Sequence, residues 1–404
     1  MIPNQTPDTP HELADGVLVD EIVAIKSPEQ LADLLGAATA GQESVIPFGG
    51  RRSLATGNPV GLARWGVDLT GLRGIIAYEP ADLTLSVRTG TTMAEIRDVL
   101  AEAGQELPIE IPFPEQTTIG GLVATGFAGP RRLRSGSLRD LLIGCEFVRG
   151  DGLLAKAGGL VVKNVSGFEI PRFLHGSWGA LAVLTSVNLK VTPKARADGT
   201  LVANFEDAGV AIAAAHRLGA AEPSVEACVV AIDGDGVKVA ARAVGRTGAV
   251  TAMLDSFGQD LGLTTDRLES EGSQGYWQDL VNGYAEDASR IVMAMSTRPR
   301  DIQSLANKVN EIGTRCGAKI LVSPGLGSLR ITIPGDLAMS FRCATDVLGV
   351  AEGLNVPCVL ESAPLSLRST VSTWGVEPEG IEVMRSVKRQ FDPSNVLNPG
   401  RLFL

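Results

Sequence analysis

The stretch of sequence that decides the fold runs from Pro112 to Pro193. It begins PFPEQTTIGGLVATGFAGPRRLRSGSLRDLLIGCEFVRGDG (112–152) and ends KNVSGFEIPRFLHGSWGALAVLTSVNLKVTP (163–193). Glycines occur singly and in pairs along it, between short runs of small or β-branched residues. Because glycine has no Cβ, it lets the main chain approach a ligand closely. Glycines at this density predict a backbone folded around a large, flat, phosphorylated ligand, and we expect a flavin dinucleotide.

The bulk properties narrow the class of protein. A chain of 404 residues with 44% apolar content favours two domains with real cores. The net charge of −10 argues against a nucleic-acid-binding face. The five cysteines are scattered without a CxxC pair, which favours a reducing compartment and predicts neither a metal site nor a disulfide framework. No apolar run is long enough to span a membrane. We therefore expect a cytoplasmic protein that reaches a membrane only through a partner.

The segment before the central stretch predicts the first candidate binding loop. Residues 1–16 are rich in Pro and Asp and predict a flexible tail. A short buried strand over 44–48 then ends in GGRRSLATGNP (49–59). Consecutive backbone N–H groups after a strand can form a concave site for a pyrophosphate. A simple surface turn is the alternative interpretation of this loop.

The central stretch itself predicts a second phosphate-binding element. Thr117–Gly121 precedes LVATG, a run of small residues suited to the start of a helix. Free N–H groups at a helix N-terminus favour a bound phosphate. The basic loop Gly129–Arg139 is open to three interpretations: a solvated face, a contact with a partner subunit, or a contact with the pyrophosphate. His175 and Trp178 are either packing residues or flavin neighbours.

The composition changes after Ala195. Strands there alternate with an Ala-rich helix, and the β-α-β pattern recurs around Ile291–Ile333. This repetition predicts a second α+β domain with an antiparallel sheet. Tyr276, Trp277 and Tyr284 concentrate aromatic residues in a chain that has few, which suits an interface, a cleft or a loop packed on the core.

Three motifs carry a resemblance to a known family. They are EQTTIGGLVATGFAGPRRLRSGSLRDLLIG (115–144), VVKNVSGFEIPRFLHGSWGALAVLT (161–185) and FDPSNVLNPGRL (391–402). In this order they resemble flavoproteins with a PCMH-type FAD-binding domain, the vanillyl-alcohol oxidase superfamily. Within it, the chain is most similar to the E-type subunits of bacterial glycolate oxidase (glycolate dehydrogenase).

The resemblance implies an α+β fold with four parts. A flexible tail (1–16) would precede a PCMH-type FAD-binding domain of two subdomains (17–194). A smaller α+β cap with an antiparallel, ferredoxin-like sheet and subunit contacts would follow (195–385). A C-terminal segment (386–404) would return to the FAD-binding domain.

The resemblance also implies which residues hold the cofactor. They belong to the loop after the buried strand, the threonine–glycine loop, the turn before Asp140, the turn at Gly179 and the terminal turn. These residues are Phe48, Gly49, Gly50, Arg51, Arg52, Ser53, Pro114, Thr117, Thr118, Gly120, Gly121, Ala124, Gly126, Gly136, Ser137, Asp140, Gly179, Leu181 and Asn398. No catalytic residue is assigned.

Two departures from the superfamily pattern are informative. Members with covalently attached flavin carry a histidine in the first glycine loop, whereas this sequence has Arg51 and Arg52 there, which implies non-covalent FAD. D-type subunits and related D-lactate dehydrogenases carry an HxGDGN-like stretch. This chain has only His11, His175 and His216 and no such stretch.

The implied function is that of an accessory flavoprotein. The chain would be the FAD-binding subunit of a complex that oxidises glycolate, a small 2-hydroxy acid, to glyoxylate. Its partners would be a homologous FAD-containing catalytic subunit and an iron–sulfur subunit that receives the electrons. One alternative is a self-sufficient FAD-dependent 2-hydroxy-acid (D-lactate-type) dehydrogenase or alcohol oxidase, whose base would be a carboxylate, a tyrosine such as Tyr276 or Tyr284, or an arginine-assisted group. Another is a scaffold with a vestigial FAD pocket.

Overall fold

The described part of the N-terminal half contains three sheets, of four, five and two strands. The computed structural model describes residues 10–160, 169–221, 224–261, 264–285, 289–335 and 338–403. The strands of this half are β1 (His11–Ala14), β2 (Val17–Ala24), β3 (Val45–Phe48), β4 (Ala63–Asp68), β5 (Ile75–Glu79), β6 (Thr84–Arg88), β7 (Gln105–Glu106), β8 (Leu142–Arg149), β9 (Leu154–Gly158), β10 (Ala182–Lys190) and β11 (Thr192–Pro193). The helices are α1 (Pro28–Gly41), α2 (Met93–Glu102), α3 (Ile119–Thr125), α4 (Arg132–Ser135), α5 (Leu138–Leu141) and α6 (Ile170–Leu174). Residues 161–168, which belong to the second resemblance motif, lie outside the described residues.

Each of the two larger sheets forms one subdomain, while β7 and β11 pair antiparallel as a separate two-stranded sheet. The first has the order β1-β2-β4-β3, with β2 and β3 parallel to β4, and the second has the antiparallel order β5-β6-β10-β8-β9. Leu31 and Leu35 of α1 are buried in one core cluster with Val148 and Val183 of the second sheet. The two subdomains therefore share apolar packing, which is the main favourable contribution to their association.

The predicted tail is partly ordered. Strand β1 pairs antiparallel with β2, so the prediction of a flexible tail is wrong for residues 11–14. The reason is packing, because Leu13 is buried and the Asp15 carboxylate accepts a hydrogen bond from the Leu365 N–H, 2.7 Å away. Residues 1–9 lie outside the described residues.

Helix α2 begins with the side-chain caps that its sequence favours. The Thr92 hydroxyl accepts a hydrogen bond from the Glu95 N–H, and the Glu95 carboxylate accepts one from the Thr92 N–H at 2.9 Å. This reciprocal pair is a capping box, which the Thr-x-x-Glu spacing indicates. At α1, Ser27 caps the Gln30 N–H, but the Gln30 side chain accepts from the Lys26 N–H, one residue before the N-cap that a full capping box would use.

The C-terminal half contains a single large sheet among the described residues. Its strands are β12 (Ala197–Phe205), β13 (Val225–Asp233), β14 (Gly236–Gly245), β15 (Thr265–Glu269), β16 (Arg290–Ser296), β17 (Lys319–Ser323), β18 (Ser328–Pro334) and β19 (Cys358–Ser362). The helices are α7 (Ala208–Ala221), α8 (Thr247–Leu261), α9 (Glu271–Gly283), α10 (Ile302–Gly313), α11 (Ala338–Gly353), α12 (Leu365–Arg368) and α13 (Ile381–Phe391).

This sheet is two ferredoxin-like units joined edge to edge. The strand order is β15-β12-β14-β13-β17-β18-β16-β19, and each described pairing is antiparallel. In each unit the chain follows a β-α-β-β-α-β path, with the fourth strand beside the first. The predicted fold class and the repeated pattern are confirmed. Although the sequence implies a smaller cap, its eight-stranded sheet is the largest of the described sheets.

Buried arginines attach the cap to the FAD-binding domain. Arg131 Nε lies 2.6 Å from Glu226 of β13, and its Nη1 lies 3.0 Å from Glu106 of β7. Arg242 of β14 pairs with Glu110 and Asp198. Burial alone would lower the pKa of Arg131, but the surrounding glutamates raise it above its ordinary value. Arg131 is therefore neither a solvated residue nor a ligand of the pyrophosphate.

The C-terminal segment contacts the first sheet. The Val45 N–H donates to the Val396 carbonyl at 2.8 Å, and the Asn398 N–H donates to the Val45 carbonyl at 2.9 Å. The buried Lys388 ammonium donates to the carbonyls of Ala180 and Leu397 at 2.7 and 2.9 Å. The implied boundary at 385/386 falls inside α13, and the exact limits of the four parts stay a prediction.

Candidate FAD site

A deep cleft lies between the two subdomains, at the carboxyl end of β3. Its volume is about 1210 Å³, including its open mouth. The first sheet contributes Pro47–Leu54, and the second contributes Thr89 and Ala182–Leu184. Helix α3 and the C-terminal turn complete the wall with Gly120–Leu122, Asn398 and Arg401. The cleft is mostly lined by small and apolar residues, as expected for a site that accepts a large planar ligand.

Two glycine loops meet at the floor of this cleft. A Cβ placed on Gly50 would lie 1.7 Å from the Gln116 carbonyl oxygen, so no other residue fits there. A Cβ on Gly120 would lie 2.6 Å from the Thr89 Cβ. Among the described residues, the N–H groups of Gly49, Gly50 and Arg51 have no hydrogen-bond acceptor. Main-chain donors grouped in this way form a concave anion site that suits a pyrophosphate.

The N-terminus of α3 does not provide the predicted phosphate donors. The Ile119 and Gly120 N–H groups donate to the carbonyls of Thr91 and Thr89, at 3.0 and 2.9 Å. The Gly121 N–H donates to the Thr118 hydroxyl. These donors already have protein acceptors, so the prediction of free N–H groups at this helix is wrong. The physical reason is that β6 continues into a turn whose carbonyls cap the helix.

Three residues that line the cleft have a left-handed main-chain conformation. Arg51, Trp178 and Asn398 all line it, and all have positive φ, at 59°, 54° and 43°. For residues with a side chain this conformation is uncommon, and it occurs mainly at ligand-binding positions. The Asn398 side-chain amide donates to the Trp178 carbonyl at 2.9 Å and thereby couples two of the strained residues.

The two arginines of the first loop stack on aromatic rings. The Arg51 guanidinium lies 4.5 Å from the centre of the Phe48 ring, and that of Arg52 lies 4.1 Å from the centre of the Phe113 ring. Such stacking fixes the direction of a guanidinium without using its hydrogen-bond donors. Both arginines also line the cleft.

Most residues implied to hold the cofactor do line this cleft. These are Phe48, Gly49, Gly50, Arg51, Arg52, Ser53, Thr117, Thr118, Gly120, Gly121, Ala124, Gly179 and Asn398. The structure brings them together from four separate parts of the chain. Their contact with FAD itself stays a prediction.

The remaining implied residues are not among those that line the cleft, and they have structural roles. Pro114 accepts a hydrogen bond from the Ala94 N–H, and Gly126 ends α3 with φ of 70°. Ser137 and Asp140 form the capping box of α5, directly after Gly136. Leu181 is buried in the core of the second subdomain. A contact between FAD and these residues also stays a prediction.

Sequence reasoning missed several wall residues. Thr89 follows β6, Phe127 follows α3, and Arg401 belongs to the terminal turn. The motif FDPSNVLNPGRL contains Arg401, so the resemblance carried a signal for it. The motif EQTTIGGLVATGFAGPRRLRSGSLRDLLIG likewise contains Phe127, whereas Thr89 had no such signal, because only the tertiary fold places it at the cleft.

Other candidate residues have no chemical role in this geometry. Burial raises the pKa of the Cys145 thiol to about 12, which leaves it protonated and inert. Burial also raises the pKa of Tyr276 to about 12, and Tyr284 donates its hydroxyl to the Ile320 carbonyl at 3.2 Å. Neither tyrosine lines the cleft, so neither suits the role of substrate base. Among the described residues, no group of three or more His, Cys, Asp or Glu side chains could hold a metal ion.

Sequence comparisons agree with this geometry. The family described as "FAD binding domain" matches residues 19–158, and "FAD linked oxidases, C-terminal domain" matches residues 371–402. Glycolate oxidase subunit GlcE of Escherichia coli is 44% identical over 136 residues, a match that covers 33% of this chain and 39% of that subunit. Glycolate oxidase subunit GlcD of Bacillus subtilis is 22% identical, over 95% of this chain and 89% of that subunit. D-lactate dehydrogenase of Archaeoglobus fulgidus is 26% identical over 78% and 75% of the two chains.

Solved structures share the fold over nearly the whole chain. p-Cresol methylhydroxylase with bound substrate superposes with a TM-score of 0.73 at 15% identity, and the match covers 95% of this chain and 88% of that one. An alkyldihydroxyacetonephosphate synthase superposes with a TM-score of 0.71 at 16% identity, over 95% and 76% of the two chains. The two domain matches define a flavoprotein whose cofactor is FAD. Residues 19–158 and 371–402 therefore carry the two domains of FAD-linked oxidases, and the chain is an FAD-dependent oxidoreductase.

Proposed function

We propose that this chain is the FAD-binding subunit of a complex that oxidises a small 2-hydroxy acid, with glycolate as the first substrate to test. The product would be the corresponding 2-oxo acid, here glyoxylate, after loss of a hydride from the α-carbon and a proton from the hydroxyl. Non-covalent FAD would accept the electron pair. From there the electrons would pass to an iron–sulfur partner and on to the acceptor.

The observation that carries this proposal is the contact between the wall of the cleft and the cap. Arg330 of β18 lies over the ring of the wall residue Phe127, with its guanidinium 5.1 Å from the ring centre. Its Nη2 lies 2.8 Å from the Glu361 carboxylate. Both side chains are partly accessible to solvent. A cation beside an apolar, planar cleft is the chemistry that a small carboxylate substrate requires.

The relatives support the substrate class and the partners. Chains named as glycolate oxidase subunits and D-lactate dehydrogenases match this sequence, and both names refer to 2-hydroxy acids. The histidines of this chain lie on separate elements, on β1, after α6 and on α7. This separation supports an accessory role beside a homologous FAD-containing catalytic subunit. No helix among the described residues is long and apolar enough to cross a membrane, and association with a membrane through partner subunits belongs to the proposal.

A second candidate function is favoured by Glu361. Its carboxylate is next to Arg330, and its carbonyl accepts a hydrogen bond from the Thr56 hydroxyl at 2.6 Å. A carboxylate at this position could accept the hydroxyl proton of a bound substrate. The chain would then be a self-sufficient 2-hydroxy-acid dehydrogenase.

The two functions differ in what the purified chain can do alone. The test is the visible spectrum of the FAD-loaded chain under anaerobic conditions, before and after addition of glycolate or D-lactate. The measurement is repeated with the partner subunits added. Bleaching only in the presence of the partners supports the accessory subunit, whereas bleaching by the chain alone supports the second candidate. A chain that retains FAD but bleaches with neither acid under either condition contradicts both.

A further inference from the structure

Arg401 has an unusual environment for a buried arginine. Its side chain is only 2% exposed. Its Nη1 donates to the carbonyls of Leu54 and Thr56, at 2.9 and 2.7 Å, and its Nε donates to the Asn398 side-chain oxygen at 3.3 Å. Its Nη2 is also buried, yet this nitrogen has no hydrogen-bond partner among the described residues.

The charge of Arg401 is unbalanced as well. None of the ion pairs between described residues includes Arg401, and the charge that acts on it is Arg368, which has the same sign. Burial lowers the pKa of Arg401 to about 10, so the side chain is still protonated at neutral pH. Arg131 and Arg242, by contrast, are both surrounded by carboxylates. A buried cation without a counter-ion is costly, and such groups normally have an anionic or strongly accepting partner.

The position of Arg401 indicates where that partner is. Arg401 lines the FAD cleft together with Leu54 and Asn398, two of the residues to which it is hydrogen-bonded. Those bonds hold the guanidinium in one orientation and leave Nη2 as its unsatisfied donor. We propose that Arg401 is a cofactor-binding residue. Its Nη2 donates a hydrogen bond to an oxygen of bound FAD, and its positive charge stabilises negative charge on that oxygen.

FAD has suitable oxygens in two places. The pyrophosphate oxygens are anionic, and the carbonyl oxygens of the flavin ring become more electron-rich when the flavin is reduced. A contact with the pyrophosphate would contribute mainly to affinity. A contact with the ring would also raise the reduction potential of the bound cofactor, because a positive charge stabilises its reduced form.

The test uses two substitutions of the full chain, Arg401→Met and Arg401→Gln. The glutamine variant keeps an amide that can donate to the Leu54 or Thr56 carbonyl, which protects the fold. The affinities of the FAD-free proteins for FAD, ADP and riboflavin are measured by titration, and the reduction potential of the loaded proteins by dye equilibration. Arg385→Met is the control, because Arg385 pairs with Glu377 and Glu382 on the surface, away from the cleft.

We expect the affinity of both Arg401 variants for FAD to fall about 10- to 100-fold, the effect of losing a charge-assisted hydrogen bond. The FAD-free variants should unfold at the same temperature as the FAD-free wild type or at a higher one, because an unbalanced buried charge is removed. A parallel loss of ADP affinity assigns the contact to the pyrophosphate. A loss of riboflavin affinity together with a lower reduction potential assigns it to the ring.

Two results would overturn the proposal. One is a variant that folds and binds FAD within about twofold of the wild type. The other is an equal fall in melting temperature, relative to the wild type, for the FAD-free and the FAD-loaded forms of a variant. Arg401 would then be only a structural residue. If Arg401→Met does not fold, the glutamine variant decides the question. If that variant does not fold either, the wild type is labelled with ¹⁵N at its arginine Nη atoms, and absence of any change in a buried Nη resonance on FAD addition overturns the proposal.

Discussion

At Gly50 the main chain of the loop after β3 touches the main chain of the loop before α3, at Gln116. The Gln116 carbonyl oxygen occupies the place where a side chain would begin. The neighbouring N–H groups of Gly49 and Arg51 point to no protein acceptor among the described residues. The close contact between the two loops and the free N–H donors therefore both depend on Gly50, since a displacement of its loop would change both.

This predicts the effect of Gly50→Ala. The added methyl group would overlap with the Gln116 carbonyl at 1.7 Å, so the loop must shift and its donors lose their common direction. We expect the FAD affinity to fall at least about 100-fold, comparable to the loss of more than one hydrogen bond to a charged ligand. Affinity is measured by titration of the FAD-free protein. Gly61→Ala is the matched control, because nothing lies within 4 Å of a Cβ at that position, and equal losses in the two variants would contradict the argument.

A second residue-scale prediction concerns pH. Burial lowers the pKa of His175 below its ordinary 6.5, and the nearby Arg139 and Arg132 lower it further, against the smaller opposing effect of Asp140. Its Nε2 is buried without a partner among the described residues. The unfolded chain therefore binds a proton more readily than the folded one, so stability is lost as pH falls below 6.5.

We expect His175→Gln to lose less stability than the wild type between about pH 7 and pH 5. Urea unfolding at each pH measures this difference. His11→Gln serves as the control, since His11 is exposed on β1. Parallel pH profiles of His175→Gln and the wild type would show that His175 does not contribute.

At the scale of elements, local sequence rules worked where the contacts were local. The Thr92–Glu95 capping box and the repeated β-α-β path of the cap were both predictable, because each depends on residues close in sequence. Helix α3 shows the opposite case. The sequence pattern placed its start after Gly121, whereas the helix begins at Ile119 with Thr118 as its N-cap. Its N–H groups are satisfied by carbonyls of the β6–α2 turn, which only the fold brings there.

Arg131 is a residue whose burial and role in joining two elements cannot be predicted from the sequence pattern alone. Its charged neighbours Arg132 and Arg134 suggest a solvated run, yet Arg131 is buried and connects β7 with β13 across the two domains. Arg131→Met should lower the free energy of unfolding by about 3–5 kcal/mol, because it leaves buried glutamates without their cation. Urea unfolding measures the loss, and Arg131→Met combined with Glu226→Gln should recover part of it.

The control is an exposed ion pair. Arg73 lies 2.8 Å from Glu95, and the two side chains are 55% and 38% exposed to solvent. Arg73→Met should therefore change stability by less than about 1 kcal/mol. If the two single variants lose the same stability, the buried network does not hold the cap in place.

At the scale of the molecule, the sequence predicted the cofactor better than the substrate. The glycine loops lie in continuous motifs, whereas the candidate substrate region combines Phe127 of one domain with Arg330 and Glu361 of the other. Nothing in the local sequence around Arg330 distinguishes it from other strand arginines. Its position depends on two ferredoxin-like units sharing one sheet that faces the FAD cleft.

This architecture leads to the last prediction. Arg330→Met should leave FAD binding unchanged, because Arg330 does not line the cleft that holds the cofactor residues. It should weaken binding of a small 2-hydroxy acid about tenfold or more, since the loss removes a charge-assisted contact with the substrate carboxylate. The measurement is the concentration of glycolate or D-lactate that half-bleaches the flavin, with the partner subunits present if they are needed. Arg298→Met is the matched control, because Arg298 is a cap arginine whose partner Asp301 is also on the surface. An unchanged half-bleaching concentration in Arg330→Met would place the substrate carboxylate elsewhere in the cleft.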